Sequence, residues 1–320
     1  MVKILVNDGI HPDGQLLLEE AGYQVNTTKV AQDDLPQALP EYDVIVVRSA
    51  TKVRQALIEQ CPNLKIIARG GVGLDNIDVD FAKSNKIQVI NTPAASSLAV
   101  AELAFGHMFA LARSLHDANR QMPTQGDSAF KQLKKAYSKG VQLRGKTLGI
   151  IGFGRIGQET ARIGLALGMK VMPVDLMISE ANIDIELYSG ENTKFAVKIP
   201  TVSWEDMLAN SDFISLHVPF TGKPIVDKAA FDQMKDGVIL INAARGGTVD
   251  EEALLEALES GKVAAAGLDV FDSEPTPRKA LLEHPRVSLS PHIGASTLEA
   301  QRNIGLELAD KIIAFFGDDQ

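Results

Sequence analysis

The sequence predicts an α/β protein that contains two doubly wound parallel-sheet domains. Short apolar runs typical of buried parallel strands alternate with helical segments, first at residues 3–6, 43–47, 64–68 and 88–90 and again from residue 147 onward. The chain has 320 residues, which suits two domains of about 100 to 200 residues rather than one. Each domain is long enough to bury a core of its own.

Residues 145–175 contain a nucleotide-binding unit in its usual order. An apolar strand leads into the turn GFGRIG, which opens a helix, and a second apolar strand follows that helix. In this turn Gly152 permits the tight bend, Gly154 lets the backbone approach a pyrophosphate, and Gly157 lets the helix pack closely on the strand. The pyrophosphate then binds the free N–H groups at the start of the helix.

Asp175 ends the second strand, 18 positions beyond Gly157, where an acceptor for the ribose hydroxyls is expected. Its carboxylate repels the additional 2′-phosphate of NADP. The next residues, Leu176, Met177 and Ile178, supply no cation to offset that charge. The sequence therefore predicts NAD as the cofactor.

Composition argues against several other classes of function. With 32 basic and 41 acidic residues, the protein lacks the positive field needed for non-specific binding to nucleic acid or to an anionic membrane. Cys61 is the single cysteine, which excludes an intrachain disulfide and favours a reducing, cytoplasmic compartment. No apolar run reaches the roughly 18 residues of a membrane span, and no ligand spacing predicts a metal site.

The second half of the chain continues the alternation. Further strands are expected at residues 212–217, 238–242, 263–270 and 287–290. A final helix at 297–316 has no sheet of its own to cover, so we expect it to return to the first domain. The predicted domains are thus 1–96 with 297–320, and 97–296.

Four further segments carry no catalytic motif. Residues 96–113 are apolar on nearly every side, which predicts a helix buried between the domains or against another subunit. Residues 114–143 are polar and irregular and suit a loop exchanged with a partner chain. Residues 183–200 alternate polar and apolar around 189–192 and predict a β-hairpin, and Asp318 and Asp319 form a solvated acidic tail.

Candidate catalytic side chains follow the predicted strands, because ligands of open α/β sheets bind beyond the carboxyl ends of the strands. Arg245, Glu274 and His292 follow three successive strands, and His217 follows another. Such a set suits hydride transfer to or from a 2-hydroxy acid: the Arg binds the carboxylate, the His exchanges the hydroxyl proton, and the Glu orients the imidazole. Individually, each also suits a structural role, as a surface ion pair, a loop acid or a hydrogen-bonded histidine.

Seven motifs strengthen the catalytic interpretation. They are RSATKV from Arg48, RGGVGLDNID from Arg69, NTP from Asn91, GFGRIG from Gly152, NAARGGTVDE from Asn242, GLDVFDSEP from Gly267 and SPHIGAST from Ser290. With these motifs the sequence strongly resembles the D-2-hydroxyacid dehydrogenase family over nearly its whole length. The resemblance implies a flavodoxin-like substrate domain, a Rossmann NAD-binding domain, and a homodimer formed through residues 97–143.

The resemblance also implies residue roles. The catalytic set is Arg245, Glu274 and His292, with His292 as the proton donor in reduction. The implied cofactor contacts are Val72, Gly152, Gly154, Arg155, Ile156, Gly157, Asp175, His217, Val218, Pro219, Ala243, Ala244, Arg245, Asp269, His292, Ile293, Gly294 and Ala295. The implied substrate contacts are Arg245, His292 and the N–H groups of the Gly70–Gly71–Val72 turn, which bind the carboxylate. Apart from the resemblance, Arg48 and Arg69 follow the apolar runs DVIVV and LKIIA at the carboxyl edge of the first sheet, which predicts that they bind a substrate phosphate. Each of the two also suits a structural ion pair.

Within the family, the motifs are most similar to those of members that oxidise 3-phospho-D-glycerate to 3-phosphohydroxypyruvate. Two alternatives stay open: a glyoxylate or hydroxypyruvate reductase or another D-2-hydroxyacid dehydrogenase with an unphosphorylated substrate, and an NADH-sensing corepressor-like binding protein. The stretch 129–135 lacks the Trp-x-Arg that such proteins often carry, which leaves a contribution of Lys134 or Lys135 to phosphate binding open. Because the sequence ends at Gln320, we expect no C-terminal regulatory extension of the kind that responds to serine.

Overall fold

The computed structural model describes residues 1–187 and 193–317 and divides into two compact units. The first unit contains Met1–Ser97 and Ala295–Gln320, and the second contains Leu98–Gly294. The sequence analysis places the corresponding boundaries after residues 96 and 296. The acidic tail at Asp318 and Asp319 lies outside the described residues.

The first unit is built on a five-stranded parallel sheet. Its strands are β1 (Lys3–Val6), β2 (Gln24–Asn26), β3 (Val44–Val47), β4 (Ile66–Arg69) and β5 (Gln88–Asn91). They are ordered β2-β1-β3-β4-β5, the order of flavodoxin-like sheets. Strand β2 is absent from the sequence-based prediction, because its three residues include only one apolar side chain, Val25, and lie at the sheet edge.

Helices cover both faces of this sheet. They are α1 (Pro12–Glu20), α2 (Leu35–Ala38), α3 (Gln55–Ile58), α4 (Val79–Ser84) and α13 (Leu298–Gly317), with 3₁₀ turns at Gln32–Asp34 and Leu39–Glu41. The final helix α13 packs against α1 and the buried face of the sheet, in the unit where the sequence analysis expects it. Cys61 lies in the core on the opposite face, and its burial raises the pKa of the thiol to about 11.

The second unit contains a six-stranded parallel sheet. Its strands are β6 (Thr147–Ile151), β7 (Lys170–Val174), β10 (Phe213–Leu216), β11 (Val238–Asn242), β12 (Val263–Leu268) and β13 (Val287–Leu289). They are ordered β13-β12-β11-β10-β6-β7, so the chain reverses its direction of winding between β6 and β10. The two sheets confirm the predicted class of two doubly wound domains.

A separate hairpin follows β7. Strands β8 (Glu180–Leu187) and β9 (Thr193–Pro200) pair antiparallel, and Ile183 and Ile185 pack into the core beside helix α8 (Arg155–Ala166). The turn predicted at residues 189–192 lies outside the described residues.

The remaining helices correct one sequence-based expectation. They are α5 (Ser97–Ala112), α6 (Leu115–Gln125), α7 (Phe130–Ala136), α9 (Trp204–Asn210), α10 (Lys228–Gln233), α11 (Glu251–Ser260) and α12 (Lys279–Leu282). The segment 114–143, predicted to be irregular, contains helices α6 and α7. The sequence pattern did not predict these helices because they bury almost no apolar face: none of the α6 residues is buried, and in α7 Leu133 alone is buried.

Helix α5 packs one face into the core of the second unit. Phe105, Met108 and Leu111 lie in one cluster with the sheet residue Leu148. Leu98 and Phe109 on the same helix are 52% and 44% exposed, so the helix is not enclosed on every side. Among the described residues no single helix meets the length and composition needed to cross a bilayer, and α5 with α6 meets them only as a pair bent by 59°.

Two glycines allow α1 and α13 to touch. A Cβ at Gly14 would lie 2.8 Å from Gly305 Cα and would overlap the Gly305 carbonyl, and a Cβ at Gly305 would lie 2.9 Å from His11 Cβ. The backbones of the two helices therefore meet without an intervening side chain. This contact holds α13 against the first turn of α1.

A half-buried histidine joins β10 to α8. His217 Nε2 lies 3.0 Å from both Thr160 Oγ1 and Ser215 Oγ. Thr160 donates its hydroxyl hydrogen to the Ile156 carbonyl, so it accepts from His217, which places the ring hydrogen on Nε2. Burial lowers the pKa of His217 to about 3, and the ring is neutral at working pH.

We expect Gly14→Ala to destabilise the first unit by about 1 to 3 kcal/mol, because the new methyl group overpacks a backbone contact. The loss is measured by urea unfolding followed by far-ultraviolet circular dichroism. Gly317→Ala, at the end of α13 with no atom within 4 Å of the new Cβ, is the control and should change stability by less than about 1 kcal/mol. Equal stability of the two variants would contradict the close packing.

We expect His217 to make the second unit acid-sensitive. Its folded pKa of about 3 lies below the unfolded value of about 6.5, so the unfolded state binds more protons between them. Stability therefore falls as the pH drops below about 6.5, by about 1.4 kcal/mol per pH unit. His217→Gln should remove this dependence of stability on pH. Stability is measured by urea unfolding at several pH values and is followed by the fluorescence of Trp204, the single tryptophan, which lies in the second unit. Parallel stability profiles for wild type and variant would show that the ring titrates normally.

Candidate active site

The glycine-rich turn has the geometry of a pyrophosphate site. Gly152 has φ +93°, a conformation that favours glycine, and a Cβ there would lie 2.7 Å from Val218 Cγ1. A Cβ at Gly157 would overlap the Gly152 carbonyl, so helix α8 packs directly on the turn. Gly154 has no atom within 4 Å of an added Cβ. The space beside Gly154, at the N-terminus of α8, fits an approaching pyrophosphate, with Arg155 and Ile156 as the first helical residues.

Asp175 is held at the end of β7 by backbone hydrogen bonds. Its Oδ2 accepts from the Phe153 N–H at 2.7 Å, and Oδ1 accepts from Met177 and Ile178 at 2.8 and 3.0 Å. Burial alone would raise the pKa of this carboxyl, but the three N–H groups outweigh burial and lower it. A carboxylate offers about four acceptor positions, so room remains for a ribose hydroxyl.

These residues fit a bound NAD molecule. The Gly152 turn, Asp175 and the segment His217–Val218–Pro219 follow β6, β7 and β10, the strands around the point where the winding of the second sheet reverses. Dinucleotides bind at such a switch point. Val218, which approaches Gly152, and the exposed Pro219 lie on the far side of the turn from Asp175.

Arg245, Glu274 and His292 follow the adjacent strands β11, β12 and β13 at one edge of the same sheet. The turn that carries Arg245 packs on the loop that carries Glu274. A Cβ at Gly246 would lie 2.5 Å from the Phe271 carbonyl carbon, and the Gly247 N–H donates to Asp272 Oδ1 at 2.5 Å. Ala243 and Ala244, predicted cofactor contacts, are buried beside Arg245, whose guanidinium donates to the Ala244 carbonyl.

Glu274 and His292 form a hydrogen-bonded pair. His292 Nδ1 lies 2.8 Å from Glu274 Oε2, and Glu274 Oε1 accepts from the Phe271 N–H at 3.0 Å. A carboxylate only accepts, so Nδ1 carries a hydrogen and Nε2 is available to exchange a proton. The His292 side chain is 46% exposed, which leaves it accessible to a substrate.

The loop around His292 is fixed by Asp269. This carboxylate, 1% exposed, accepts from the N–H groups of Ile293 and Gly294 at 2.9 Å each, while the Asp269 carbonyl accepts from His292 at 2.8 Å. Two predicted cofactor contacts, Ile293 and Gly294, therefore donate hydrogen bonds to a third, Asp269. Ala295 is the first residue of the following segment of the first unit.

Glu251 is a residue that the sequence analysis missed. It is 5% exposed, its Oε1 accepts from the Asp272 N–H at 2.9 Å, and Arg278 lies 3.3 Å from its Oε2. Burial raises the pKa of Glu251, with Asp272 adding to this effect and the Asp272 N–H and Arg278 opposing it. It anchors both ends of the loop that carries Glu274. Glu251 belongs to the motif NAARGGTVDE, but only the fold shows that it lies beside the loop that carries Glu274.

In the first unit, Arg48 lines a cavity of about 230 Å³ together with His11, Gln301 and Gly70. Its main chain is anchored by Asp8, which accepts from the Arg48 N–H at 2.7 Å and also binds Thr51. The Arg48 guanidinium has no hydrogen-bond or ion-pair partner among residues 1–187 and 193–317. The cavity lies where the first sheet reverses its winding, between the ends of β1 and β3.

The predicted carboxylate-binding turn differs from expectation. The Gly70 N–H donates to the Val47 carbonyl at 2.9 Å and the Gly71 N–H to Thr92 Oγ1 at 2.8 Å, because hydrogen bonding of the parallel strands continues into the turn. In the described part of the chain, the N–H groups of Val72 and Gly73 have no such partner. The available donors are therefore Val72 and Gly73 rather than the two glycines before them. Arg69 packs its guanidinium over Gly71.

Within the described ranges, no group of three or more His, Cys, Asp or Glu side chains is arranged to bind a metal ion.

Comparison with known proteins identifies the family. Residues 105–294, nearly the whole second unit, match the family model described as D-isomer specific 2-hydroxyacid dehydrogenase, NAD binding domain. A hydroxypyruvate reductase of Thermotoga maritima is 47% identical over 321 residues, covering 98% of each chain. A D-3-phosphoglycerate dehydrogenase of Archaeoglobus fulgidus is 42% identical over 316 residues, and this chain spans 98% of its own length but 57% of that relative.

Solved structures give the same result. A D-lactate dehydrogenase from Aquifex aeolicus, in complex with NAD and lactic acid, has a TM-score of 0.76 and 30% identity, covering 99% of this chain and 96% of that one. A D-2-hydroxyisocaproate dehydrogenase has a TM-score of 0.80 and 26% identity, covering 100% and 98%. The chain belongs to the D-isomer specific 2-hydroxyacid dehydrogenase family and is an NAD-dependent oxidoreductase.

Proposed function

We propose that this enzyme oxidises 3-phospho-D-glycerate to 3-phosphohydroxypyruvate, the first step of serine biosynthesis. The observation that carries the proposal is Arg48, a guanidinium with no partner among the described residues, lining a cavity at the switch point of the first sheet. A guanidinium binds a phosphate bidentately and remains charged at every working pH. The D-3-phosphoglycerate dehydrogenase of Archaeoglobus fulgidus is among the relatives.

The second unit would supply the chemistry. Arg245 binds the substrate carboxylate and polarises the carbonyl oxygen. In oxidation His292 Nε2 takes the proton of the C2 hydroxyl, and Glu274 holds the ring by its hydrogen bond at Nδ1. Bound NAD supplies the acceptor for the hydride that leaves C2. Val72 and Gly73 in the first unit provide further N–H donors for an anion.

We extend the proposal to the domains and cofactor contacts. In it, residues 1–96 with 297–320 bind the substrate and residues 97–296 bind NAD. The remaining cofactor contacts predicted from the sequence complete the NAD site, and Arg69 supports Arg48 at the phosphate. A cytoplasmic location suits the single, buried cysteine.

A homodimer formed through residues 97–143 is also proposed. This segment keeps large apolar side chains exposed, which a partner subunit would cover. They are Leu98, Phe109, Leu115, Met122, Phe130 and Val141, each between 41% and 56% exposed.

One observation favours a second candidate, the reduction of hydroxypyruvate or glyoxylate. The hydroxypyruvate reductase of Thermotoga maritima matches this chain over nearly its full length, whereas the phosphoglycerate dehydrogenase relative is much longer. An NADH-sensing binding protein of the corepressor type is the alternative from another class. Negligible turnover with every 2-oxo acid tested, together with tight NADH binding, would favour that class.

We expect His292→Ala to lower kcat by about 10²- to 10⁴-fold, because it removes the positioned proton donor. NADH oxidation with the best substrate is measured, and NADH affinity is followed by fluorescence and should change little. His116→Ala, a histidine outside the Glu274 pair, is the control and should remain active. Near-normal turnover of His292→Ala would exclude the acid–base role.

The substrate is decided by a panel in the reductive direction, using phosphohydroxypyruvate, hydroxypyruvate and glyoxylate. We expect phosphohydroxypyruvate to give the highest kcat/KM. Arg48→Ala should lose roughly 1.5 to 3 kcal/mol toward it and much less toward hydroxypyruvate, because a charged hydrogen bond is lost only with the phosphate.

The matched control is Arg54→Ala, since Arg54 lies in the same unit but binds Asp78 and the Asp75 carbonyl. It should affect both substrates little. A parallel loss for both substrates in Arg48→Ala, or a preference of the wild type for hydroxypyruvate or glyoxylate, would transfer the assignment to the second candidate.

A further inference from the structure

Helix α5 carries a buried histidine that the proposed reaction does not use. His107 is 5% exposed and lies on the helix face that packs on the second sheet. Its Nδ1 lies 2.9 Å from Ser288 Oγ and its Nε2 lies 2.9 Å from Ser290 Oγ. A Cβ at Gly267 would lie 2.7 Å from His107 Cβ, so the helix sits directly on strand β12.

The hydrogen bonds of Ser290 determine where the His107 hydrogen lies. Ser290 Oγ donates to Asp269 Oδ1 at 2.6 Å. A hydroxyl has one hydrogen, so Ser290 accepts from His107 at its oxygen, and the His107 hydrogen is on Nε2. Nδ1 is then an acceptor for the Ser288 hydroxyl. Burial lowers the pKa of His107, and the charge of Asp269 opposes this effect only in part. The ring is therefore neutral.

This chain of hydrogen bonds ends on the loop that carries His292. Asp269 binds Ser290 on one side of His292, and Ile293 and Gly294 on the other. His292 itself has φ +54°, a left-handed conformation that is strained for a residue other than glycine. The loop therefore needs contacts that hold it, and Asp269 supplies them on both sides.

We propose that His107 is a positioning residue that orients Ser290 and Asp269 and thereby holds His292 in its reactive place. The inference rests on the proposed function, since it takes His292 as the group that exchanges the proton. His107 lies 181 and 183 positions from the two serines that it binds, so helix α5 and the catalytic loop are joined by side chains rather than by sequence. Neither Ser288 nor His107 contacts the Glu274 carboxylate by a hydrogen bond in the described residues.

A pair of amide variants separates positioning from packing. In His107→Gln the amide nitrogen reaches about as far as Nε2 and can still donate to Ser290. In His107→Asn the amide ends near the place of Nδ1, keeps Ser288 and falls short of Ser290. Both variants replace the ring by a neutral amide, so both lose packing against Gly267. The melting temperatures of both variants are measured to compare this loss.

We expect His107→Gln to stay within about threefold of the wild-type kcat and His107→Asn to fall by about 10- to 100-fold, the scale of a misplaced catalytic group. Ser290→Ala should lose activity like His107→Asn, and Ser288→Ala should retain it. The double variant His107→Asn with Ser290→Ala should be no slower than either single variant, because both changes break the same link. Equal activity of the Gln and Asn variants, or additive losses in the double variant, would overturn the proposal.

A measurement without turnover completes the test. Long-range proton–nitrogen correlation spectra of the ¹⁵N-labelled protein report the tautomer of each of its six histidines, and His107→Gln assigns the signal of His107. We expect the Nε2–H tautomer for His107, and a shift of the His292 signal in His107→Asn but not in His107→Gln. The Nδ1–H tautomer would refute the inference even if the enzyme were active. If the proposed function itself were wrong, the result would be different: the His292→Ala variant would keep full activity.

Discussion

Parallel hydrogen bonding of β11, β12 and β13 places the carboxyl ends of three strands side by side at one edge of the second sheet. Arg245 comes three residues after β11, Glu274 six after β12 and His292 three after β13. Loops this short cannot carry a side chain away from the edge where its strand ends. A strand that ran in the opposite direction would deliver its side chain to the other edge of the sheet. The Glu274–His292 hydrogen bond therefore depends on strand direction before it depends on any side-chain choice.

Local donors, rather than overall charge, must bind the anions. The protein has a net charge of −9, so its long-range field does not favour a carboxylate or a phosphate. The proposed donors are the N–H groups at the N-terminus of helix α8, those of Val72 and Gly73, and the guanidinium groups of Arg48 and Arg245. Backbone donors carry no counter-charge to be neutralised and are fixed by the fold. An anion site of this kind is compatible with an acidic surface.

The sequence predicted the features that depend on neighbours along the chain. Strands 147–151 and 238–242 were predicted at the observed bounds, since each is a continuous apolar run, and the glycine turn was predicted from its spacing. Helices α6 and α7 were missed because they bury almost nothing in one chain, and β2 because an edge strand of three residues has no period. The N–H donors of the turn were assigned to Gly70, Gly71 and Val72, whereas in the described part of the chain those of Val72 and Gly73 are available, since only the fold shows which N–H groups are already paired.

Contacts made across the sequence were beyond prediction for a different reason. His107 and Glu251 each lie in a helix whose sequence pattern does not single them out. Their hydrogen-bond partners lie many positions away along the chain. Nothing local distinguishes them from a surface histidine or a first-turn acid, which is the role that a helix start suggests for Glu251. Burial is the property that sets them apart. Burial is known only after the sheet order brings their loops together.

The division of the chain into two units bears on substrate choice. The family model matches residues 105–294, within the second unit, where Arg245, Glu274 and His292 lie. The roles proposed for those groups involve only the carboxylate and hydroxyl that every 2-hydroxy acid possesses, so they would not distinguish a phosphorylated substrate from an unphosphorylated one. Discrimination has to come from groups that meet the rest of the molecule, and Arg48 in the first unit has the chemistry for a phosphate. Both relatives match 98% of this chain, and therefore both of its units, so individual side chains such as Arg48, rather than overall similarity, must decide between the two substrates.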